Sequence, residues 1–220
     1  MSEWWSYSLS DFLMFSARTY FRQFELLNRA LWPLHLLAFG AGMLLIGCML
    51  RPRKRASFTA FGVLAICWAW VAWAYHAGRY ADINTGAPYF AIGFGVQAVL
   101  LAWLAVRRPA PAEGDIGRRA PVAIMALALF GYPLLAPLNG ASLWQAEVFA
   151  IAPDPTVAAT FAALLFWRAP WPLWIIPLLW SAASGATLKE LHAPQPWLLP
   201  ASAILAVALA TLGARKKLSR

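Results

Sequence analysis

Hydrophobic positions in this chain come as long unbroken runs, without the alternation or one-sided stripes of a water-soluble fold. They cover residues 31–50, 57–77, 88–106, 120–138, 156–168, 171–189 and 197–214. A run of about 20 residues rises roughly 30 Å as a helix, the thickness of a bilayer's hydrocarbon core. The pattern therefore predicts an all-α, polytopic helical membrane protein with about seven transmembrane spans, forming one domain over residues 30–214. The fifth run is the exception. Thr156 to Trp167 would rise only about 18 Å, although Asp154-Pro155 ahead of it reads as a capping acid followed by proline at the first helical position. Runs five and six are alternatively a re-entrant hairpin around Arg168-Ala169-Pro170-Trp171-Pro172.

Ahead of the first run the pattern changes. Over residues 11–29, Ala17, Tyr20, Phe21, Phe24, Leu27 and then Leu31 recur at helical spacing, with Arg18, Arg22, Glu25 and Arg29 opposite. This predicts an amphipathic helix capped by Ser10 or Asp11. A helix with aromatic residues on one face and arginines on the other lies in the membrane interface. Trp4, Trp5 and Tyr7 suit the headgroup level. Residues 1–29 are thus expected on the outer face; residues 1–10 carry an acid and no basic residue and no cleavage site follows, so the start does not read as a cleavable signal peptide.

Charge sets the orientation. Of the 18 basic residues, 13 fall in residues 51–55, 107–119, 168 and 215–220. Those clusters stand at every second boundary between runs, as expected where Lys and Arg are retained in the cytoplasm. The N-terminus is then outside, and residues 215–220 form a basic cytoplasmic tail. The net charge of +9 would suggest nucleic acid in a soluble protein. Here it is absorbed by topology, and the expected partner is the lipid bilayer. With 61% hydrophobic and 12% charged residues and a mean hydropathy of +0.60, the chain lacks the polar surface of a globule. Cys48 and Cys67 both lie in apolar runs, so neither a disulfide nor a thiolate metal site is expected.

Candidate chemistry gathers toward the outer side. Run two and its loop supply His76, Arg79, Tyr80, Asp82 and Asn84, and the loop after run four supplies Glu147 and Asp154. If the helix continues past His76, Arg79 and Tyr80 share its face, and Asp82 or Glu147 would neutralise Arg79. Charged groups at the mouth of a bundle suggest a ligand site. Deeper lie His35 and Gln97, intramembrane polar residues of the kind that hydrogen-bond neighbouring helices. His35 and His76 both fall in the outer half, which makes a bis-histidine haem geometrically conceivable, though no motif implies a cofactor. The small-residue stretches 40–42, 93–95 and 181–185 should let helices approach closely. Neither a catalytic nor a nucleotide-binding motif occurs, and no catalytic residue is assigned.

Trp4-Trp5-Ser6-Tyr7-Ser8-Leu9-Ser10-Asp11-Phe12-Leu13, Arg18-Thr19-Tyr20, Phe24-Glu25-Leu26, Trp73-Ala74-Tyr75-His76, Arg79-Tyr80 and the stretches 146–149 and 152–156 resemble an uncharacterised family of small bacterial multi-span membrane proteins. The resemblance implies a bacterial inner-membrane location and gives no residue a role. Two function classes follow from the residues. One is a solute carrier or solute-binding membrane protein with an outward-facing pocket. The other is an accessory or assembly subunit that packs on further membrane subunits. A haem- or quinone-binding redox protein is a third.

Overall fold

Helices occupy the apolar runs, and among the described residues every regular element is helical. The computed structural model of the protein describes residues 15–112 and 115–218. Trp4, Trp5, Tyr7, Ser10 and Asp11, and the basic side chains of the C-terminal tail, lie outside that description.

Helix α1 (Ala17–Leu31) starts at Ser16, whose side chain accepts from the Thr19 amide at 3.2 Å. Ser16 supplies the oxygen that the first turn of this helix needs, and the expected cap residues Ser10 and Asp11 lie outside the described residues. The buried stripe is Tyr20, Gln23, Phe24, Leu27 and Asn28. Two amides therefore sit on the face expected to be apolar. Gln23 donates to the Tyr75 hydroxyl at 3.1 Å, and Asn28 is bonded at both ends. After Trp32-Pro33 the chain turns by 96° into α2 (His35–Leu50).

Helix α3 (Ala56–Trp70) runs on through π-helical turns at Val71–Tyr80 as one rod of 25 residues, and α4 (Ala87–Arg107) returns along it. Next, α5 (Asp115–Ala126) passes through a π turn at Leu127–Gly131 into α6 (Tyr132–Leu138). Ala56–Tyr80, Ala87–Arg107 and Arg118–Leu138 are long and apolar enough to cross a membrane, and the bent α1–α2 pair makes up to four. Length and apolarity alone thus give three or four crossings, not seven.

The shortfall lies mainly in the second half. Helix α7 (Pro153–Phe166) has 14 residues and α8 (Ile175–Glu190) has 16, before α9 (Leu198–Leu218). Every residue of α7 is buried, and it packs against α3, α5, α8 and α9. A helix apolar on all sides can be stable only when surrounded. Ala158, Ala159, Ala162 and Ala163 give it the slim profile that close packing requires. Asp154 does not cap it. Ala152 precedes the first turn, and the Asp154 carboxylate reaches across to α8.

Two contacts fix the direction of α7. The Ala112 amide donates to the Phe166 carbonyl at 2.6 Å, and the Arg108 guanidinium lies 5.6 Å from the Phe58 ring centroid. The start of α3, the end of α4 and the C-terminus of α7 therefore meet at one end of the bundle. The N-terminal turn of α7 points away from it. Small residues divide by position: a Cβ at Gly185 would come 2.6 Å from Pro200, whereas Gly93 and Gly95 face no neighbour within 4 Å. The close approach expected of all three stretches does not occur at 93 and 95.

Candidate functional site

The N-terminal turn of α7 opens on a cavity of about 240 Å³, walled by α6, the 139–152 segment and the corner between α8 and α9. Phe21 of α1 contributes to its wall. Most of the lining is apolar, including Leu135, Leu188, Leu198 and Leu199. Tyr132, Glu147 and Asp154 line it too, with the amides of Asn139, Gln145 and Gln195.

Local structure sets each group. Asp154 is buried, with Trp180 Nε1 donating to Oδ1 at 2.8 Å and Ser184 Oγ donating to Oδ2 at 2.6 Å. Its place in the first turn of α7 adds the favourable field of a helix N-terminus. Glu147 is carried by a pinned loop. Asn28 Nδ2 donates to the carbonyls of Trp144 and Ala146 at 2.8 and 2.9 Å, and Arg29 lies 5.0 Å from the Trp144 ring centroid. On the other side of Glu147, Thr156 Oγ1 accepts from the Ala150 amide at 2.9 Å, with Ala150 in the left-handed region at φ 64°. Tyr132 follows directly on the π turn, the kind of register shift that re-aims a side chain.

The chemistry is one-sided. Glu147 Oε2 and the Tyr132 hydroxyl are sealed from solvent and have no hydrogen-bond partner among the described residues. Burial, with Asp154 adding like charge, pushes the Glu147 carboxyl well above its ordinary range. Among the described residues, no Lys, Arg or His lines the cavity. Arg22 and Arg29 are paired with Glu25 at 2.8 and 3.2 Å, and the Lys189 ammonium sits over the Trp197 ring at 5.9 Å. The arrangement suits a proton or a positively charged group.

The residues singled out from sequence separate into distinct places. Glu147 and Asp154 share the cavity. Asp82 and Asn84 line a different, open hollow with Phe15, Ser16 and Thr19, where Asn84 Oδ1 accepts from the Gly86 amide at 2.8 Å. His76 is fully buried inside a ring of aromatics, with Phe94 at 4.3 Å, Tyr75 and Trp180 both at 4.9 Å, and Tyr80 and Phe90 both at 6.0 Å. Among the described residues the ion pairs are those of Glu25 and Arg79 joins none, so the expected neutralisation by Asp82 or Glu147 does not form. His35 Nε2 lies 3.1 Å from Asn28 Oδ1, and Gln97 Nε2 donates to the Leu173 carbonyl at 2.9 Å. His35 and His76 share no neighbour through these contacts. Among the described residues no group of three or more His, Cys, Asp or Glu could hold a metal ion.

Tyr132 and Trp180 escaped the sequence reading, in which Gln145 counted only as one of the outer polar residues and Ser184 only as a small residue. Their only signal is that each is a polar-tipped side chain in or beside an apolar run, a property shared by residues that simply pack.

A sequence model of a family described as a family of unknown function, DUF6064, matches residues 17–219. No curated protein and no solved structure shows a significant match.

Proposed function

Since the chain belongs to DUF6064, a family of unknown function, we propose its function from its own cavity: a multi-span membrane protein that binds a small solute, as a carrier or a solute-binding protein. One observation carries the reading. Two acidic residues and Tyr132, whose hydroxyl is unpartnered, line one largely apolar cavity to which the described residues bring no Lys, Arg or His. Buried polar groups ordinarily find partners, and intramembrane acids are costly enough to mark function. A cavity of about 240 Å³ suits a solute at the small end of the usual ligand range.

On this reading α2 to α6 and α9 cross a bacterial inner membrane, and α7 and α8 cross it or form a re-entrant hairpin with both ends on the outer side. The N-terminus is outside and α1 lies in the interface. The near-right-angle bend between α1 and α2 supports that arrangement. So does the gathering of Arg51, Arg53, Lys54, Arg55, Arg107 and Arg108 at one end of the α3–α4 pair, since basic clusters stay cytoplasmic. The N-terminal turn of α7 points away from that end, which makes the cavity outward-facing.

Thermal unfolding of the protein in lipid nanodiscs, against small solutes of positive, neutral and negative charge, tests the reading. A ligand at a hundred times its dissociation constant stabilises the fold by about 2.7 kcal/mol. At least one class should raise the midpoint in the wild type and not in Glu147→Gln. No shift from any solute, together with a stoichiometric partner chain on gentle extraction, would favour the accessory-subunit reading. That alternative has its own support in the bare face of α4, where Gly93 and Gly95 meet nothing and Ile92 and Val99 are 65% and 69% exposed.

A further inference from the structure

Resting on the solute-binding reading above, we infer that the ligand of this cavity is a small primary ammonium compound: an –NH3⁺ head held among Glu147, Asp154 and Tyr132, with an apolar body against the leucines. The acidic pair alone would not identify a ligand. The independent observation is Tyr132, which is 4% exposed, lines the cavity, and leaves its hydroxyl without a partner.

The head follows from the hydrogen-bond inventory. Glu147 Oε2 offers an acceptor that nothing in the fold uses, and the Tyr132 oxygen offers another. Asp154 already accepts from Trp180 and Ser184, one donor on each oxygen. Each carboxylate oxygen has a second acceptor site, so Asp154 retains room for a further donor. Three acceptors match the three donors of an ammonium group. A quaternary ammonium has no N–H and would leave them unmet. An anion would meet the two acids, with no Lys, Arg or His among the described residues of the wall to receive it.

The body follows from the remaining wall. Leu135, Leu188, Leu198 and Leu199 present hydrocarbon, while the nearby amides are engaged elsewhere. Asn139 Nδ2 donates to the Leu135 carbonyl at 2.7 Å and to Gln195 Oε1 at 3.2 Å, and Gln145 Nε2 donates to Glu25 at 3.3 Å. A second polar end on the ligand would meet mostly carbon. This separates a simple amine from a zwitterionic amino acid, whose carboxylate would need a basic partner.

The test uses full-length protein in nanodiscs and three six-carbon probes: hexylammonium, hexanamide and hexanoate. Binding is read from tryptophan fluorescence, to which Trp180 beside Asp154 contributes, and from the unfolding midpoint. Hexylammonium should bind and the other two should not. Glu147→Gln and Tyr132→Phe should each weaken hexylammonium, the first by about 10- to 100-fold, the range for a hydrogen bond to a charged group. Tyr132→Phe removes one oxygen and keeps the ring, so it remains informative if an acid variant fails to fold. Binding of hexanamide or hexanoate as tight as hexylammonium, and equally lost in Tyr132→Phe, would overturn the ammonium assignment and leave the solute pocket standing. No binding of any probe to folded wild-type protein would overturn the ammonium assignment too. If the wider solute panel also failed, the solute-binding reading would fall with it.

Discussion

Two polar clusters meet on α7, and they are completed to different degrees. In the middle of the helix, Trp68 Nε1 donates to Thr160 Oγ1 at 2.7 Å, Thr160 donates to the Thr156 carbonyl at 2.8 Å, and Thr156 donates to the Ala152 carbonyl at 2.7 Å. Each hydroxyl both gives and receives, since the Ala150 amide donates to Thr156 Oγ1. At the N-terminal turn, Asp154 is served by two donors while Glu147 Oε2 and the Tyr132 hydroxyl have none. The same short helix thus carries a closed network and an open one. A closed network ties helices together and has no use for a ligand. An open one leaves desolvated groups whose cost a ligand or a proton would offset.

The largest expected effect breaks the part of the open cluster that is satisfied. Asp154→Ala strands the Trp180 N–H and the Ser184 hydroxyl, both buried. Each orphaned donor costs about 1–3 kcal/mol. The variant should show the lowest unfolding midpoint of the set, or fail to accumulate. A midpoint equal to wild type would mean that these donors readily find other acceptors.

Thr160→Val comes next. It keeps the shape of the side chain and removes the oxygen that receives Trp68 Nε1, leaving one buried donor unpaired for about 1–3 kcal/mol. The closed cluster should lose stability and nothing else, so solute binding should persist at the wild-type dissociation constant. Loss of binding with no loss of stability would reverse the roles assigned to the two clusters.

How far this contrast was legible in the sequence depends on what sets each feature. Run length is local, so the long helices fall where hydropathy places them: 57–77 became Ala56–Tyr80 and 88–106 became Ala87–Arg107. The short fifth run was legible as an anomaly, and its complete burial accounts for it. The cavity was half legible. Glu147 and Asp154 stand out because acids are scarce in this chain. Tyr132 and Trp180 do not, because their roles come from partners far along the chain: Trp180 reaches Asp154 across 26 residues. Arg79 and Asp82 looked like a charge pair because they are close in sequence, yet the turn after Tyr80 directs Asp82 to a separate hollow. Gln23 and Asn28 broke a stripe that periodicity marks as apolar, since each is bonded to a distant segment, at Tyr75 and at residues 144–146.

Glu147→Gln should act in the opposite direction to Thr160→Val. The Glu147 carboxyl is raised in the folded protein, chiefly by burial and then by Asp154. A carboxyl raised on folding supports the fold fully below its unfolded value. That support is lost as pH rises from there toward the folded value. Without ligand, the wild type should therefore lose stability across that window, and the variant, which keeps only Asp154 as a buried acid there, should lose less. Unfolding midpoints from the ordinary carboxylate range upward would show the two curves diverging as pH rises. Parallel curves would remove the charge from the cavity.

The smallest effect is expected where α1 covers the 139–152 segment. Glu25 accepts from Gln145 and pairs with Arg22 and Arg29, and these partners hold its carboxyl below the ordinary range, Gln145 foremost. A depressed carboxyl contributes stability that is present above its unfolded value and lost as pH falls through the folded one. In Glu25→Gln that acid-side loss should disappear. At neutral pH the midpoint should stay within reproducibility of the wild type, because solvent-facing ion pairs contribute little. Hexylammonium affinity should also hold, since Glu25 touches the cavity only through the Gln145 amide. If Glu25→Gln instead weakened binding as strongly as Glu147→Gln, α1 would belong to the site itself. The open cluster would then extend from the N-terminal turn of α7 to the membrane interface.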